Sequence, residues 1–245
     1  HTSSGTGNHL SFYPGSAPDT ATILADTVAG TLLAPLYYTG LGGTGEVTLA
    51  TDGNEHLLDF YGTNDSELFS LDGSGGGRLQ LVRAGSLPIT VPVNTPGIRA
   101  LVAHGLAGND TFTISTTNAW PDGVTIDGGD PSASDVANFG GASGPVTVTL
   151  ADRSVGVIPP KETTVTGYGS TVTLLGTEIA NLQLGGNTLR VVGTSQDDTI
   201  RYTPSGATAG NFQQTAPNTG GGTLFYFTQA AGTAANAFVI DGGDG

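Results

Sequence analysis

The chain has 245 residues, 37% of them hydrophobic, and a formal net charge of −14, with 21 acids against seven basic residues. Such an acidic chain lacks the basic surface that nucleic acids and anionic membranes require, which excludes nucleic acid as a partner. Cysteine is absent, which excludes disulfides, thiolate metal sites and thiol catalysis.

Glycine (40) and proline (13) divide the chain into short runs rich in Val, Ile, Leu, Thr and Phe, which is typical of an all-β protein with many turns. No apolar run approaches the ~18 residues that a membrane span needs. The chain begins with His1 and contains no methionine. We therefore expect a processed, secreted protein that is extracellular or lies at the cell surface.

Residues 1–45 are predicted to form an N-terminal arm and the first strands, and residues 46–245 a β-repeat domain. Within the first part, the polar segment 1–18 is expected to be a flexible arm, and the apolar segment 21–38 favours strands over a short helix. The glycines of 40–45 match the dinucleotide-binding pattern, but a strand-like run follows where a helix should begin. We interpret this segment as a glycine turn.

From residue 46 onward, strand-like runs followed by Gly, Asn or Asp turns recur about every ten to twelve residues. The predicted strands are 47–50, 57–61, 68–71, 78–82, 89–93, 99–103, 111–115, 124–127, 146–150, 171–175, 188–192 and 199–202. This spacing fits an elongated parallel β-solenoid resembling a β-roll, which we favour, and also a β-sandwich.

Three turns share a finer pattern, in which an acid follows a glycine by five residues and a large apolar residue comes two positions later. The three sets are Gly62-Glu67-Phe69, Gly105-Asp110-Phe112 and Gly193-Asp198-Ile200. We expect the acid to face the turn and the apolar residue to be buried. The pattern resembles the nonapeptide of RTX-type calcium-binding repeats, and this resemblance implies calcium bound by turn carboxylates and carbonyls between rungs.

A second acidic pattern lies at 124–135, and its first half returns at 239–244. Asp127, Asp130 and Asp135 follow one another with no Lys or Arg between them, which favours a hard cation with oxygen ligands, namely calcium. The alternative is that these side chains cap their own turns without an ion. The other candidate calcium ligands are Asp65, Glu67, Asn109, Asp110, Asp197, Asp198, Asp241 and Asp244.

The order of strands and acidic turns over roughly residues 55 to 245 resembles the large secreted repeat proteins of bacterial cell surfaces. The resemblance implies a structural or adhesive role. His56 lies three residues from Asp59, and His104 six from Asp110, but no known catalytic motif accompanies either pair. We interpret both histidines as ordinary strand or turn residues and predict no catalytic site.

The sequence therefore predicts a non-enzymatic, calcium-stabilised subunit of an extracellular filament, sheath or surface layer. The alternative is a calcium-dependent polysaccharide lyase or a carbohydrate-binding adhesin on a β-helix, with surface polysaccharide as its partner. A lyase needs a basic residue as catalytic base, and the candidates are Arg153, Lys161, Arg190 and Arg201.

Self-association is expected from the two ends of the sequence. Residues 242–245 match the start of the nonapeptide, and residues 7–12 resemble its missing half. The N-terminal arm of one chain is therefore predicted to complete the last rung of its neighbour. Such a contact joins different surfaces of two identical chains and gives a head-to-tail homopolymer.

Overall fold

The computed structural model describes residues 8–17, 19–26, 35–42, 45–50, 56–83, 88–129, 134–152, 162–216, 222–228 and 238–242. These residues form 21 β-strands and a single 3₁₀ turn at Ser74–Gly76, and none of them lies in an α-helix. The prediction of an all-β chain is confirmed.

The strands are numbered in chain order. They are β1 His9–Pro14, β2 Ala21–Asp26, β3 Leu36–Tyr38, β4 Val47–Thr48, β5 Leu57–Tyr61, β6 Glu67–Asp72, β7 Arg78–Arg83, β8 Val93–Asn94, β9 Ala100–His104, β10 Thr111–Thr116, β11 Gly123–Asp127, β12 Val136–Phe139, β13 Val146–Thr149, β14 Thr163–Thr166, β15 Val172–Leu175, β16 Ile179–Gln183, β17 Leu189–Val192, β18 Thr199–Gly206, β19 Ala209–Ala216, β20 Leu224–Thr228 and β21 Phe238–Asp241.

The strands form two large mixed sheets. Sheet A has 11 strands in the order β21-β17-β13-β14-β15-β11-β9-β5-β1-β2-β3. Sheet B has 10 strands in the order β18-β19-β20-β16-β12-β10-β6-β7-β8-β4. The chain passes repeatedly from sheet A to sheet B, as from β5 to β6, from β9 to β10, from β11 to β12 and from β15 to β16.

Strands from these four passages are neighbours in both sheets and pair in parallel. Hairpins inserted between the passages supply the antiparallel pairs, among them β13 with β14 and β6 with β7. As a result, the connections from sheet A to sheet B lie side by side along one edge of the molecule.

The core lies between the two sheets and contains an aromatic chain that joins them. Phe60 on β5 stacks on Phe12 of β1 with ring centroids 5.1 Å apart, and it meets Phe69 of β6 edge-on at 6.2 Å. Phe69 in turn stacks on Phe112 of β10 at 4.5 Å. Phe69 is 1% exposed and Phe112 0%, so the predicted burial of both is confirmed. Ile200 is only partly buried.

The segment predicted to be a flexible N-terminal arm contains a central strand, so that interpretation is wrong for residues 9–14. β1 pairs with β2 on one side and with β5 on the other. The prediction followed the polar residues on either side of this segment, whereas the strand forms because Phe12 is fully buried in the core. Since both edges of β1 are paired within its own chain, β1 cannot at the same time complete the last rung of a neighbouring molecule. Residues 1–7 lie outside the described residues.

The bounds of most predicted strands agree with the observed bounds to within one or two residues. Segment 40–45 is followed by β4 rather than by a helix, as expected. Segment 89–93 is an exception, because only Val93 lies in a strand there. Pro88, just before the segment, and Pro92, within it, lack the N–H donors that a strand needs. Prediction missed β12, β14, β16, β19 and β20. β12 and β16 contain Ala and Asn, which disfavour strands in isolation, and they form because they pair on both sides in sheet B.

Candidate functional site

Five connections from sheet A to sheet B share a glycine near the start and an acid near the end. The glycine–acid pairs are Gly62 and Glu67, Gly105 and Asp110, Gly128 and Asp135, Gly176 and Glu178, and Gly193 and Asp198. Three of these pairs have the predicted spacing. Gly128 with Asp135 and Gly176 with Glu178 were missed as pairs, because their spacing in the sequence differs from that of the other three.

Four of the acids form a hydrogen-bonded row, Glu67, Asp110, Asp135 and Glu178, which we call the acid row. The backbone N–H of Glu67 donates to Asp110 Oδ1 at 2.8 Å, and that of Asp110 donates to Asp135 Oδ1 at 2.7 Å. The N–H of Asp135 donates to Glu178 Oε2 at 2.7 Å. The carboxylates of Asp110, Asp135 and Glu178 therefore bind the backbone of the neighbouring connection at the start of a sheet B strand. The Glu67 carboxylate instead accepts from Thr63 in its own connection.

The glycines are required because the acids fold back over them. A Cβ on Gly105 would lie 2.5 Å from Asp110 Oδ2 and 2.6 Å from the carbonyl oxygen of Gly128. A Cβ on Gly128 would lie 2.5 Å from Asp135 Oδ2 and would also collide with the carbonyl oxygen of Gly176. At both positions a carboxylate oxygen and the carbonyl oxygen of the next connection therefore pack closely against the glycine and leave no room for a side chain.

Burial makes the acid row electrostatically costly. Glu67, Asp110 and Asp135 are all 0% exposed. Burial raises the pKa of Asp110 to about 7, the hydrogen bond from Glu67 N–H opposes this shift, and the charges of Glu67 and Asp135 add to it. Burial likewise raises the pKa of Glu67 against the hydrogen bonds from Thr63. The row thus favours binding a proton or a cation.

Asp110 has one carboxylate oxygen for which the described residues supply no hydrogen bond. This atom, Oδ2, is buried, and it lies 2.5 Å from the position that a Cβ on Gly105 would occupy. A buried acceptor left without a partner costs ~1–3 kcal/mol, and a proton or a cation on this oxygen would remove that cost. The geometry around Asp110 therefore fits a bound positive species.

A second set of charged residues crosses the outer face of sheet A, and we call it the His–Asp row. It consists of Asp26, His9, Asp59, His104 and Asp127. His9 Nε2 lies 2.5 Å from Asp59 Oδ2, and His104 Nε2 lies 3.3 Å from Asp59 Oδ1. The other ring nitrogen of His104, Nδ1, lies 3.2 Å from Asp127, and that of His9 lies 3.5 Å from Asp26. Each imidazole therefore bridges two carboxylates.

The bridging geometry explains the pKa shifts of His104 and Asp59. Burial by itself would lower the pKa of His104, but the hydrogen bonds to Asp127 and Asp59 outweigh it and raise that pKa to about 9. Burial would raise the pKa of Asp59, whereas the hydrogen bonds from His104 and His9 lower it overall. Tyr61 stacks on the His104 ring with centroids 4.4 Å apart. The row therefore links neighbouring strands of sheet A through His–Asp contacts.

The His104 pKa predicts a pH-dependent loss of stability. Because the folded pKa of about 9 exceeds the ordinary 6.5, the stabilisation is complete below pH 6.5 and is lost as the pH rises through 9. Allowing for partial exposure, the free energy of unfolding of the wild type should fall by about 2 kcal/mol between pH 7 and 9.5. His104→Gln should remove that slope. Urea unfolding of both proteins at several pH values tests this, and identical slopes would contradict it.

The structure separates the acids that the sequence grouped in 124–135. Asp127 follows the core-facing Ile126 and therefore points outward to His104, whereas Asp135 lies in the buried acid row. Asp130 and Asp244 lie outside the described residues. Asn109 Oδ1 accepts a hydrogen bond from the backbone N–H of Ser134 at 3.1 Å.

The other predicted ligands lie in separate places. Asp65 forms an ion pair with Arg83 at 2.8 Å, and Asp241 contacts Arg190 at 2.5 Å. Asp197 lies in the connection between β17 and β18 and makes no described ion pair. Its neighbour Asp198 accepts hydrogen bonds from Thr194 N–H and Gln214 Nε2, both at 2.6 Å.

Sequence reasoning missed Glu178 and the pairing of His104 with Asp59. The signal that points to Glu178 is a glycine followed closely by an acid, at any spacing, in a connection from sheet A to sheet B. For the His–Asp row only the strand register reveals the contact, since Asp59 and His104 are 45 residues apart.

Among the described residues, no group of three or more His, Asp or Glu side chains is arranged to hold a metal ion. Calcium therefore stays a prediction. No helix in the described ranges is long and apolar enough to span a membrane. No protein-family model matches the chain, and no curated protein or solved structure is significantly similar to it.

Proposed function

We propose that this chain is a non-enzymatic structural module of an extracellular filament, sheath or surface layer, built as a parallel β-solenoid whose connections bind calcium. The acid row is the observation that carries the proposal. It stacks buried carboxylates across neighbouring connections and leaves Asp110 Oδ2 without a hydrogen bond from the described residues. Such a stack stabilises a fold only when its charge is neutralised.

The solenoid part of the proposal is supported by the strand pairing. Four successive passages from sheet A to sheet B pair in parallel in both sheets. A chain that winds in this way repeats the same connection at each turn, and each turn contacts mainly its neighbours. The hairpins are then insertions into the winding.

The connections offer the kind of ligands that calcium prefers. Calcium takes carboxylate and backbone carbonyl oxygens in a flexible arrangement. Asp110 and Asp135, with the carbonyl oxygens of Gly128 and Gly176, would hold it. Bound calcium would neutralise carboxylates that otherwise repel one another, which a chain of net charge −14 favours.

The His–Asp row supports a structural rather than a catalytic role. Both ring nitrogens of His9 and of His104 face carboxylates, so neither histidine has a free nitrogen for general-base work. Arg190, one of the bases that a lyase would use, pairs with Asp241. These residues hold neighbouring strands together, as a structural module requires.

Calcium is expected to stabilise the wild type, and Asp110→Asn is expected to remove most of that effect. Calcium at ~100 times its Kd adds roughly 2.7 kcal/mol to the free energy of unfolding, so EGTA should lower the Tm of the wild type. Asn keeps an oxygen for Glu67 N–H but lacks the charge. In EGTA above pH 7, where Asp110 is ionised, the variant should be at least as stable as the wild type. Thermal melts in calcium and in EGTA measure both effects.

Asp122→Asn is the matched control for this experiment. Asp122 is exposed, pairs with Arg99 at 2.7 Å and lies outside the acid row, so its variant should keep the full calcium-induced rise in Tm. Equal Tm values of the wild type in calcium and EGTA would contradict the calcium proposal. So would a calcium response of Asp110→Asn as large as that of the wild type.

A further inference from the structure

Both outer strands of sheet A carry an exposed apolar side chain at a core-facing position. Leu36 on β3 is 60% exposed, although it pairs with Ile23, which is 6% exposed on the core side. Ile240 on β21 is 41% exposed, although it pairs with the fully buried Val191. Neighbouring residues in register point to the same face of a sheet. Leu36 and Ile240 therefore occupy core-facing positions at opposite ends of sheet A.

The two outer strands run in the same direction. β3 and β1 are both antiparallel to β2, so they run alike. The series from β1 to β15 is parallel throughout, and β13 and β15 are both antiparallel to β14. β17 and β21 continue in parallel from β13. A second copy in the same orientation can therefore pair its β3 with β21 in parallel and continue the sheet.

The outer strands of sheet B differ from those of sheet A. β18 contains Arg201 and Pro204, and its pairing with β19 has two register shifts. Charges, prolines and irregularities are the devices that prevent strands from pairing at an edge. β4 is two residues long and exposes no large apolar side chain. β3 and β21 contain no Pro, Lys or Arg and expose apolar side chains, so they are suited to pairing.

We propose that β21 of one molecule pairs in parallel with β3 of the next, so that sheet A and the core continue from copy to copy in a head-to-tail fibre. The contact would bury Leu36 of one molecule beside Ile240 of the other. It rests on the proposed structural function and replaces the N-terminal arm as the joint. Because each copy carries a net charge of −14, assembly should strengthen with ionic strength.

Two lysine variants test the contact. Leu36→Lys blocks the β3 edge and Ile240→Lys blocks the β21 edge, and both side chains are exposed enough to be replaced without unfolding the chain. Each variant should remain monomeric in sedimentation velocity, with a concentration for half-assembly raised more than about tenfold. A 1:1 mixture should form a heterodimer, because the open β21 of one variant can pair with the open β3 of the other. Growth should stop there, because both edges left on the heterodimer are blocked. Tyr226→Lys, equally exposed at 41% on the outer face of sheet B, should assemble like the wild type.

The outcomes separate this contact from the proposed function. If the wild type assembles and the two edge variants assemble equally well, the contact is wrong, and the calcium experiment still decides the proposed function. A single variant that dimerises by itself indicates two-fold pairing and overturns the head-to-tail joint. A wild type that is monomeric from low to high salt also overturns the contact. Far-UV circular dichroism and urea unfolding confirm that each variant is folded.

Cysteine cross-linking gives a second readout that does not depend on charge. The chain has no cysteine, and with Leu36 beside Ile240 the parallel register places Tyr37 beside Asp241. Tyr37 is 68% exposed and the Asp241 side chain 43%. A chain with both Tyr37→Cys and Asp241→Cys should form a ladder of disulfide-linked oligomers under oxidation. Each single-cysteine chain should give a dimer at most. A double variant that gives no species larger than a dimer overturns the parallel joint.

Discussion

Gly105→Ala is expected to lower the free energy of unfolding by about 3 kcal/mol, in the upper range for overpacking in a closed site. The new Cβ would lie 2.5 Å from Asp110 Oδ2 and 2.6 Å from the carbonyl oxygen of Gly128. One of these neighbours is backbone, so relief requires moving a connection of the sheet. Urea unfolding at pH 7.5 measures the loss.

Gly141→Ala provides the control, because a Cβ at that position meets nothing within 4 Å. Its effect should stay within about 0.5 kcal/mol. Similar losses for the two variants would show that glycine matters for chain flexibility rather than for the close approach of the acid row. Because the collision involves the Asp110 carboxylate, Gly105→Ala should also weaken the response of the Tm to calcium.

Phe112→Ala is expected to destabilise the chain by about 3–5 kcal/mol. Phe112 is 0% exposed and stacks on Phe69 with ring centroids 4.5 Å apart. Its removal opens a cavity where the aromatic chain joins the two sheets. Denaturant unfolding followed by circular dichroism measures the change.

Leu68→Ala is the comparison for Phe112→Ala. Leu68 lies on the neighbouring β6 but is 42% exposed on the outer face, so its loss should stay within about 0.5 kcal/mol. A loss below 1 kcal/mol for Phe112→Ala would mean that the core relaxes around the deleted ring and that the packing between the sheets is not rigid.

Local chemistry by itself determined much of the fold. Runs of β-branched and aromatic residues between glycine turns predicted an all-β chain and most of the strand positions, because strand propensity and turn chemistry act over a few residues. The burial of Phe69 and Phe112 was also predictable. Both follow a turn acid by two residues, and side chains alternate between the faces of a strand.

Only the tertiary structure decided which residues meet. β1 follows a polar segment and became a strand because it fills the place between β2 and β5. His104 contacts Asp59 and Asp127 because the parallel register of β5, β9 and β11 brings these residues together. Register arises from long-range pairing and core burial, and a single sequence does not record it.

The acidic turns show both contributions. Composition predicted that acids gather at glycine turns, but Asp127 and Asp135 lie in different environments, one on the outer face of a strand and one in the buried acid row. The spacing between glycine and acid varies along the row, since the connection can lengthen or shorten while the two sheets hold its ends. The sequence determined which residues are available at the turns, and the stacking of the strands decided which of them form one site.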